Sequence, residues 1–204
     1  MHCILSSLAL CTLPFSGPID AGPTHSGPIH SGPTIVLPST PHVGGVEWEH
    51  GSLDAAIAKA KDRGTMCLAY FWLDGSEQSG KLYQETLSNE AAHAPLSKMV
   101  CYSAKHSDTT ASLFEKFKIK TVPTLLFLDG NGVAQDGIAG FIPLPKFLAE
   151  CERIQAGKGT LRDLQYRLSQ TDDESPEGIK ARWLVAGKLL DLQDVAGHDL
   201  HMEK

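Results

Sequence analysis

The fold is decided by the stretch Thr65-Met-Cys-Leu-Ala-Tyr-Phe-Trp-Leu73, a nearly continuous apolar run between Gly64 and Asp74-Gly75. Its length and aromatic content predict a strand that is buried on both faces. A strand of this kind needs helices above and below it to exclude water. The sequence therefore predicts an α/β domain built around this strand.

The remaining pattern between residues 46 and 157 alternates helices with strands. Helices are predicted from Ser52 to Gly64, from Ser76 through Leu87, over Thr109–Phe117 and over Pro143–Ile154; strands are predicted over Met99–Ser103, Thr124–Leu128 and Val133–Ile138, the last two joined by the turn Asp129–Gly132. This order of elements predicts a mixed sheet with helices on both faces.

Two short motifs in this order carry a family resemblance: Phe71-Trp72 before the second helix, and Thr121-Val122-Pro123-Thr124 before the hairpin. Together with the order of elements they resemble the thioredoxin superfamily, over residues 46–157 of the 204. The resemblance implies the thioredoxin-like three-layer α/β fold, with a mixed central sheet between two layers of helices. In that family a Cys-x-x-Cys motif opens the helix four positions after the Trp, where this chain has Ser76-Glu77-Gln78-Ser79.

The two serines at Ser76 and Ser79 exclude dithiol chemistry at these positions. Disulfide exchange needs a thiolate, whereas a serine hydroxyl neither ionises at a helix N-terminus nor forms a disulfide. Ser76 is instead suited to cap the helix. Redox-active members also keep an acid where this chain has Tyr70 and a Trp where it has Gly75. We therefore expect a redox-inactive protein that acts by protein or peptide binding, or as a scaffold.

The resemblance also implies a peptide-binding groove. The matching proline of the family is cis and lies against the first cysteine position, and the residue before it pairs by its backbone with an extended peptide. Carried onto this sequence, the groove residues are Trp72, Gly75, Ser76, Val122 and Pro123. Groove binding and a purely structural role for Pro123 both remain open.

Two enzymatic alternatives rest on other residues. The five cysteines form no Cys-x-x-Cys pair, but a thiol-disulfide oxidoreductase that uses Cys67 or Cys101 is the main alternative, although both residues fall inside predicted strands. A serine nucleophile at Ser76 would need a base, for which His93 and His106 are the nearest candidates in sequence. Neither histidine lies in a recognisable motif.

The amino-terminal residues read as two segments outside the domain. Residues 1–16 contain the apolar stretch Ile4–Phe15, which resembles a secretory signal and favours an exported protein, periplasmic or extracellular; the alternative is a cytoplasmic one. Residues 17–45 form the second segment, in which Gly-Pro recurs every five positions from Gly17 to Val36, and they predict an extended linker. The histidines of the linker are not part of a Cys, Asp or Glu cluster, so no metal site is predicted there.

The carboxy-terminal residues 158–204 predict a helical extension. Leucines with helical spacing mark one helix, a second amphipathic helix follows, and residues 195–204 look like the start of a third; the marking residues are Leu161, Leu164 and Leu168, then Ile179, Trp183, Ala186 and Leu190. Trp183 is expected in the core. The extension packs on the domain, self-associates with another chain, or belongs to a longer helical-repeat protein.

Composition excludes several functions. Hydrophobic residues make up 42% and the net charge is -6 without a basic run, which argues against nucleic-acid binding. After residue 20 no apolar stretch reaches the about eighteen residues of a membrane span. No cofactor and no metal are expected, and a protein or an extended peptide is the expected partner. The identity of that partner and the oligomeric state stay open.

Overall fold

A computed structural model describes residues 46–172 and 174–192 of the chain. The predictions of a signal segment, a Gly/Pro-rich linker and a third carboxy-terminal helix lie outside the described residues. The strands are β1 Trp48–Glu49, β2 Cys67–Trp72, β3 Val100–Lys105, β4 Thr124–Leu128 and β5 Ala134–Ala139. The helices are α1 Leu53–Asp62, α2 Glu77–Leu82 with a π-helical turn over Tyr83–Leu87, α3 Glu90–Leu96, α4 Ala111–Lys116, α5 Leu144–Gln155, α6 Leu161–Ser169 and α7 Pro176–Asp191.

The five strands form one mixed sheet in the order β1-β3-β2-β4-β5. Strand β3 pairs in parallel with both β1 and β2, whereas β4 pairs antiparallel with β2 and β5. The apolar stretch Thr65–Leu73 therefore supplies the central strand, β2. The predicted mixed sheet is confirmed.

Helices cover both faces of the sheet because β2 is apolar at every position. Leu68 and Tyr70 face a core shared with α2, α3 and α5, whereas Ala69 and Phe71 face a second core shared with α1, α4, α6 and α7. Each fully buried Leu or Phe contributes about 1.5–3 kcal/mol relative to exposure. The three-layer thioredoxin-like arrangement is thus confirmed, with helices added after α5.

Helices α6 and α7 pack on the sheet, as the first of the three alternatives for the extension predicted. Leu161, Leu164, Val185 and Leu189 belong to the same buried core as Leu126 of β4. The approach is close at β5, because a Cβ on Gly137 would lie 3.3 Å from the side chain of Leu192. The described part of the extension is therefore an integral layer of this fold.

The expectation that Trp183 packs in the core is wrong, since 61% of its surface is exposed. The buried side of α7 carries Ala181, Val185 and Leu189 instead. Helix α7 is apolar on two sides, so its periodicity left the choice of core face open, and small residues allow the closer approach to the sheet. No helix in the described part of the chain combines the length and the apolar character needed to cross a bilayer.

Candidate functional site

The predicted groove residues meet at one edge of the sheet because β2 and β4 run antiparallel. Phe71 pairs with Thr124, so the end of β2 at Trp72 lies beside the start of β4, immediately after Pro123. Strand β3 ends at the same edge, where Trp72 pairs with Lys105. The register alone therefore brings the segments 72–76 and 122–123 together.

Ser76 caps helix α2. Gly75 before it has φ +73°, a left-handed conformation that glycine adopts without strain. The Oγ of Ser76 accepts a hydrogen bond of 3.3 Å from the backbone N–H of Ser79. Ser76 is half-buried, and its hydroxyl satisfies one of the free N–H groups at the start of the helix. The predicted capping role is confirmed.

Ser79 lies in a different environment, although it has the same side chain. It is fully buried, and its Oγ has no hydrogen-bond partner among the described residues. The carbonyl oxygen of Ser79 accepts a hydrogen bond of 2.9 Å from the hydroxyl of Tyr70. Burial raises the pKa of Tyr70 above its usual value, so Tyr70 stays protonated and acts as a donor. This position therefore provides no proton acceptor for thiol exchange.

Trp72 is held at the edge by contacts that the sequence did not reveal. Its indole Nε1–H donates a hydrogen bond of 2.9 Å to Ser103, and its ring stacks on Tyr70 with centroids 6.3 Å apart. The ammonium of Lys105 lies 5.6 Å from the Trp72 ring and also pairs with Asp74. Ser103 and Lys105 become neighbours of Trp72 only through the parallel register of β2 and β3, which one sequence does not specify.

The Val122–Pro123 peptide bond is cis. Pro123 is buried and its carbonyl accepts a hydrogen bond of 2.7 Å from the N–H of Gly140, whereas Val122 is half-buried. Among the residues that the structure describes, neither the N–H nor the C=O of Val122 has a hydrogen bond. A backbone donor and acceptor are thus free beside Trp72 for an extended segment to pair with.

The cysteines of the alternative mechanism lie in the core. Cys67 and Cys101 are 0% and 1% exposed, and burial raises the pKa of each thiol to about 12. Cys151 on α5 is equally buried, and its thiol pKa is raised in the same way. A reactive cysteine needs an accessible thiolate. The structure gives none of these three residues that property.

The histidine candidates do not form a nucleophile-base pair with Ser76. His106 is exposed and its ring packs edge-on against Phe114, whereas the Nε2 of His93 is buried on α3 without a hydrogen-bond partner in the described part. The hydroxyl of Ser76 contacts neither imidazole by a hydrogen bond within residues 46–172 and 174–192. Those same residues contain no cluster of His, Cys, Asp and Glu that could hold a metal ion.

A surface cavity of about 840 Å³ lies at the opposite edge of the sheet and includes none of the groove residues. It is lined by residues that precede β2 and β3 or follow β4, among them Met66, Met99 and Asp129, and by Tyr166 of α6. The lining mixes both signs of charge, and none of its described residues carries a buried polar side-chain atom without a hydrogen-bond partner. We therefore place the candidate site at the Trp72 edge.

The mixed five-stranded sheet, with a helix beginning directly after its central strand and a proline turn beside it, defines a thioredoxin-fold domain. A family model described as a thioredoxin-like domain matches residues 53–155, which is half of the chain. The chain belongs to this thioredoxin-like family, and the resemblance inferred from the sequence is confirmed.

Several solved structures are similar to this chain. A thioredoxin from Thermus thermophilus is 20% identical with a TM-score of 0.48, covering 54% of this chain and 87% of that one. The reduced carboxy-terminal domain of Neisseria meningitidis DsbD is 16% identical with a TM-score of 0.44, covering 50% and 92%. A poplar thioredoxin h mutant is 21% identical with a TM-score of 0.46, covering 57% and 90%. Among curated proteins, no match to this chain was found.

Proposed function

We propose that this protein is a redox-inactive member of the thioredoxin-like family that binds an extended protein segment at the Trp72 edge. The groove consists of Trp72, Gly75, Ser76, Val122 and Pro123. Residues 46–157 form the binding domain in this proposal, and residues 158–204 extend it. The observation that carries the proposal is the backbone of Val122, which has no hydrogen bond among the described residues and lies at the same edge of the sheet as Trp72 and the start of α2.

The absence of dithiol chemistry is supported by both serine environments. The hydroxyl of Ser76 is engaged in the helix cap, and the buried Ser79 Oγ has no hydrogen-bond partner in the described part of the chain that could act as a base. The three buried thiols have pKa values of about 12, so less than about one part in ten thousand would be thiolate at neutral pH. These features favour binding over an oxidoreductase that uses Cys67 or Cys101.

Binding to an extended segment is supported by the geometry of Val122. A free N–H and a free C=O on one half-buried residue can accept a partner strand by main-chain pairing, and the indole of Trp72 offers an apolar contact beside it. Main-chain pairing depends little on the partner's sequence. The proposed partner is therefore an unfolded or extended stretch of protein.

The redox half of the proposal is tested by catalysed reduction of insulin with dithiothreitol. We expect no rate above background for the native protein and a measurable rate for the double variant Ser76→Cys/Ser79→Cys, in which the fold supplies the helix N-terminus that lowers a thiol pKa. A native rate that disappears in Cys67→Ala or Cys101→Ala would overturn the proposal.

The binding half is tested with the carboxymethylated B chain of insulin, an extended peptide without a free thiol. In ¹⁵N NMR titrations we expect amide shifts at Gly75, Ser76 and Val122. Val122→Pro removes the N–H donor and should weaken binding about tenfold, the worth of one hydrogen bond, whereas Val122→Ala keeps the backbone and should bind nearly as well. Equal losses in both variants, or no shifts at all, would contradict main-chain pairing.

Export completes the proposal, on the basis of the apolar stretch Ile4–Phe15. Expression of the full chain in a bacterial host, followed by fractionation and intact mass measurement, tests it. A shortened form in the periplasm or medium is expected, and an uncleaved form in the cytoplasm would contradict export.

A further inference from the structure

Helix α7 carries most of the large hydrophobic side chains that are exposed in the described residues. Seven large hydrophobic side chains are exposed in the residues that the structure describes, and four of them are Ile179, Trp183, Leu184 and Leu190 of α7. Single exposed apolar residues are ordinary on protein surfaces, but a contiguous group on one helix indicates a contact surface.

Three of these side chains form a narrow band with a glycine. Successive residues of an α-helix are about 100° apart, so Ile179, Trp183, Gly187 and Leu190 fall within an arc of about 80°. We call these four residues the α7 stripe. The stripe lies on the side of the helix opposite the buried Ala181, Val185 and Leu189.

Gly187 has no explanation within the described chain. Glycine destabilises a helix interior relative to alanine, yet Gly187 is not in the left-handed region. A Cβ built on it would meet no atom within 4 Å. A close approach from outside the chain would account for this residue, because a glycine leaves a hollow in the helix surface one turn beyond the largest side chain of the stripe, Trp183.

We propose that the α7 stripe is the isologous interface of a homodimer in which two α7 helices pack antiparallel. A twofold axis level with Val185 places Trp183 of each copy over Gly187 of the other, since both residues lie two positions from the axis. The same axis sets Ile179 beside the partner's Leu190. A large side chain and a hollow on one patch are the self-complementarity that a twofold contact requires.

The charges beside the stripe fit the same arrangement. Lys180 and Asp191 are exposed on one flank of the stripe. A twofold axis brings equal flanks of the two helices to the same side, and the antiparallel register places Lys180 level with the partner's Asp191 to within about one residue rise of 1.5 Å. Two symmetrical ion pairs would flank the apolar contact and fix the register. This charge complementarity favours a second copy over an unrelated partner.

The contact is small, because the stripe spans only residues 179–190, about 18 Å of helix. The dimer should therefore dissociate on dilution. The proposal concerns a surface separate from the Trp72 edge and does not depend on the proposed function.

The test is sedimentation velocity of the full chain over a range of concentrations. The native protein should approach twice its 22.0 kDa at the highest concentrations and 22.0 kDa on dilution. Trp183→Glu and Gly187→Gln should each weaken association at least tenfold. Gly187→Gln is the sharper variant, because it fills the hollow while glutamine favours the helix. In dilute solution, where both proteins are monomeric, its thermal midpoint should equal or exceed the native one. Tyr166→Ser, which removes an exposed aromatic of α6, should leave association unchanged.

The ion pairs have their own control. Lys180→Asp and Asp191→Lys should each weaken the dimer, and the double variant should restore it. Native association in Gly187→Gln, or a protein that stays monomeric throughout, would overturn the proposal. A third outcome would also overturn the proposal: a monomeric protein in which acrylamide quenches Trp183 fluorescence only after residues 193–204 are deleted. The chain's own carboxy-terminal residues would then cover the stripe.

Discussion

At the scale of single residues, Ser76 and Ser79 have the same type of side chain, but replacing each by alanine should change the free energy of unfolding in opposite directions. Removing the Ser76 hydroxyl deletes the cap of α2, so Ser76→Ala should lower the free energy of unfolding by about 1 kcal/mol. The Ser79 hydroxyl is buried without a partner, so Ser79→Ala should raise the free energy of unfolding by about 1–2 kcal/mol. Urea denaturation of both variants measures the two signs.

Conservative replacements serve as controls for this pair. Ser76→Asp keeps a capping oxygen and should retain native stability, and Ser79→Cys should behave like Ser79→Ala because a thiol tolerates an apolar site. If Ser79→Ala instead lost more than about 1 kcal/mol, the hydroxyl would have a partner, such as a bound water, that offsets its burial.

The role of a residue could be predicted from the sequence where it depends on residues nearby in the chain, and not where it depends on distant ones. The family spacing counted from Trp72 located Ser76, and its capping role was predictable because a helix N-terminus is a local feature of the sequence. The partners of Trp72, namely Ser103 and Lys105, come from strand pairing between residues about thirty positions apart, which local patterns do not encode. The hydrogen bond from Tyr70 to the Ser79 carbonyl was missed because it depends on how α2 packs against β2, which local patterns do not encode either.

At the scale of elements, Asp136 on β5 forms ion pairs with both α5 and α7, and these pairs should stabilise the packing of α7 on the sheet. This carboxylate on β5 is only 3% exposed and accepts bonds of 2.8 Å from Arg153 on α5 and 3.0 Å from Lys188 on α7. Asp136→Asn would leave Lys188 without a carboxylate partner among the described residues, whereas Arg153 keeps its pair with Glu150. Leaving a buried charge uncompensated in this way costs about 3–5 kcal/mol. Equilibrium unfolding should show a loss of that size.

Hydrogen exchange separates this effect from a general loss of stability. Under conditions where the fold persists, amides of α7 should lose more protection in Asp136→Asn than amides of β2. Arg167→Gln breaks an exposed pair with Asp163 and should cost less than about 1 kcal/mol. Uniform exchange in Asp136→Asn would mean that the carboxylate stabilises the sheet and not the docking of α7.

Elements with strong local signals were predicted well, and those that depend on their neighbours were not. Strand β4 spans Thr124–Leu128 as predicted, since a short apolar run between a proline and a turn has sharp ends. Strand β1 has two residues and exists through its pairing with β3, and α3 contains Pro95, which reads as a helix breaker. Neither element was predicted. Both are weak in isolation and are held by tertiary packing.

At the scale of the whole molecule, the three described thiols predict a steep loss of stability at alkaline pH. Burial raises their pKa values from 9.0 to about 12 in the folded protein, with a smaller contribution from Glu150 at Cys151 and from Glu49 at Cys67. Below pH 9 both states keep the protons and no pH dependence arises from these groups. Between pH 9 and 12 the unfolded chain loses its thiol protons first, so the folded state is progressively disfavoured.

The size of this effect can be measured one cysteine at a time. Each thiol should lower the free energy of unfolding by about 1.4 kcal/mol between pH 8 and pH 10, the cost of keeping it protonated one unit above its unfolded pKa. Cys151→Ala leaves a small cavity that lowers stability about equally at both pH values. The gap between native protein and variant should therefore narrow by about 1.4 kcal/mol from pH 8 to pH 10 in urea titrations. If the free energies of unfolding of the native protein and Cys151→Ala instead fell in parallel with pH, Cys151 would ionise in the folded state. The argument that burial keeps this thiol unreactive would then be wrong for Cys151.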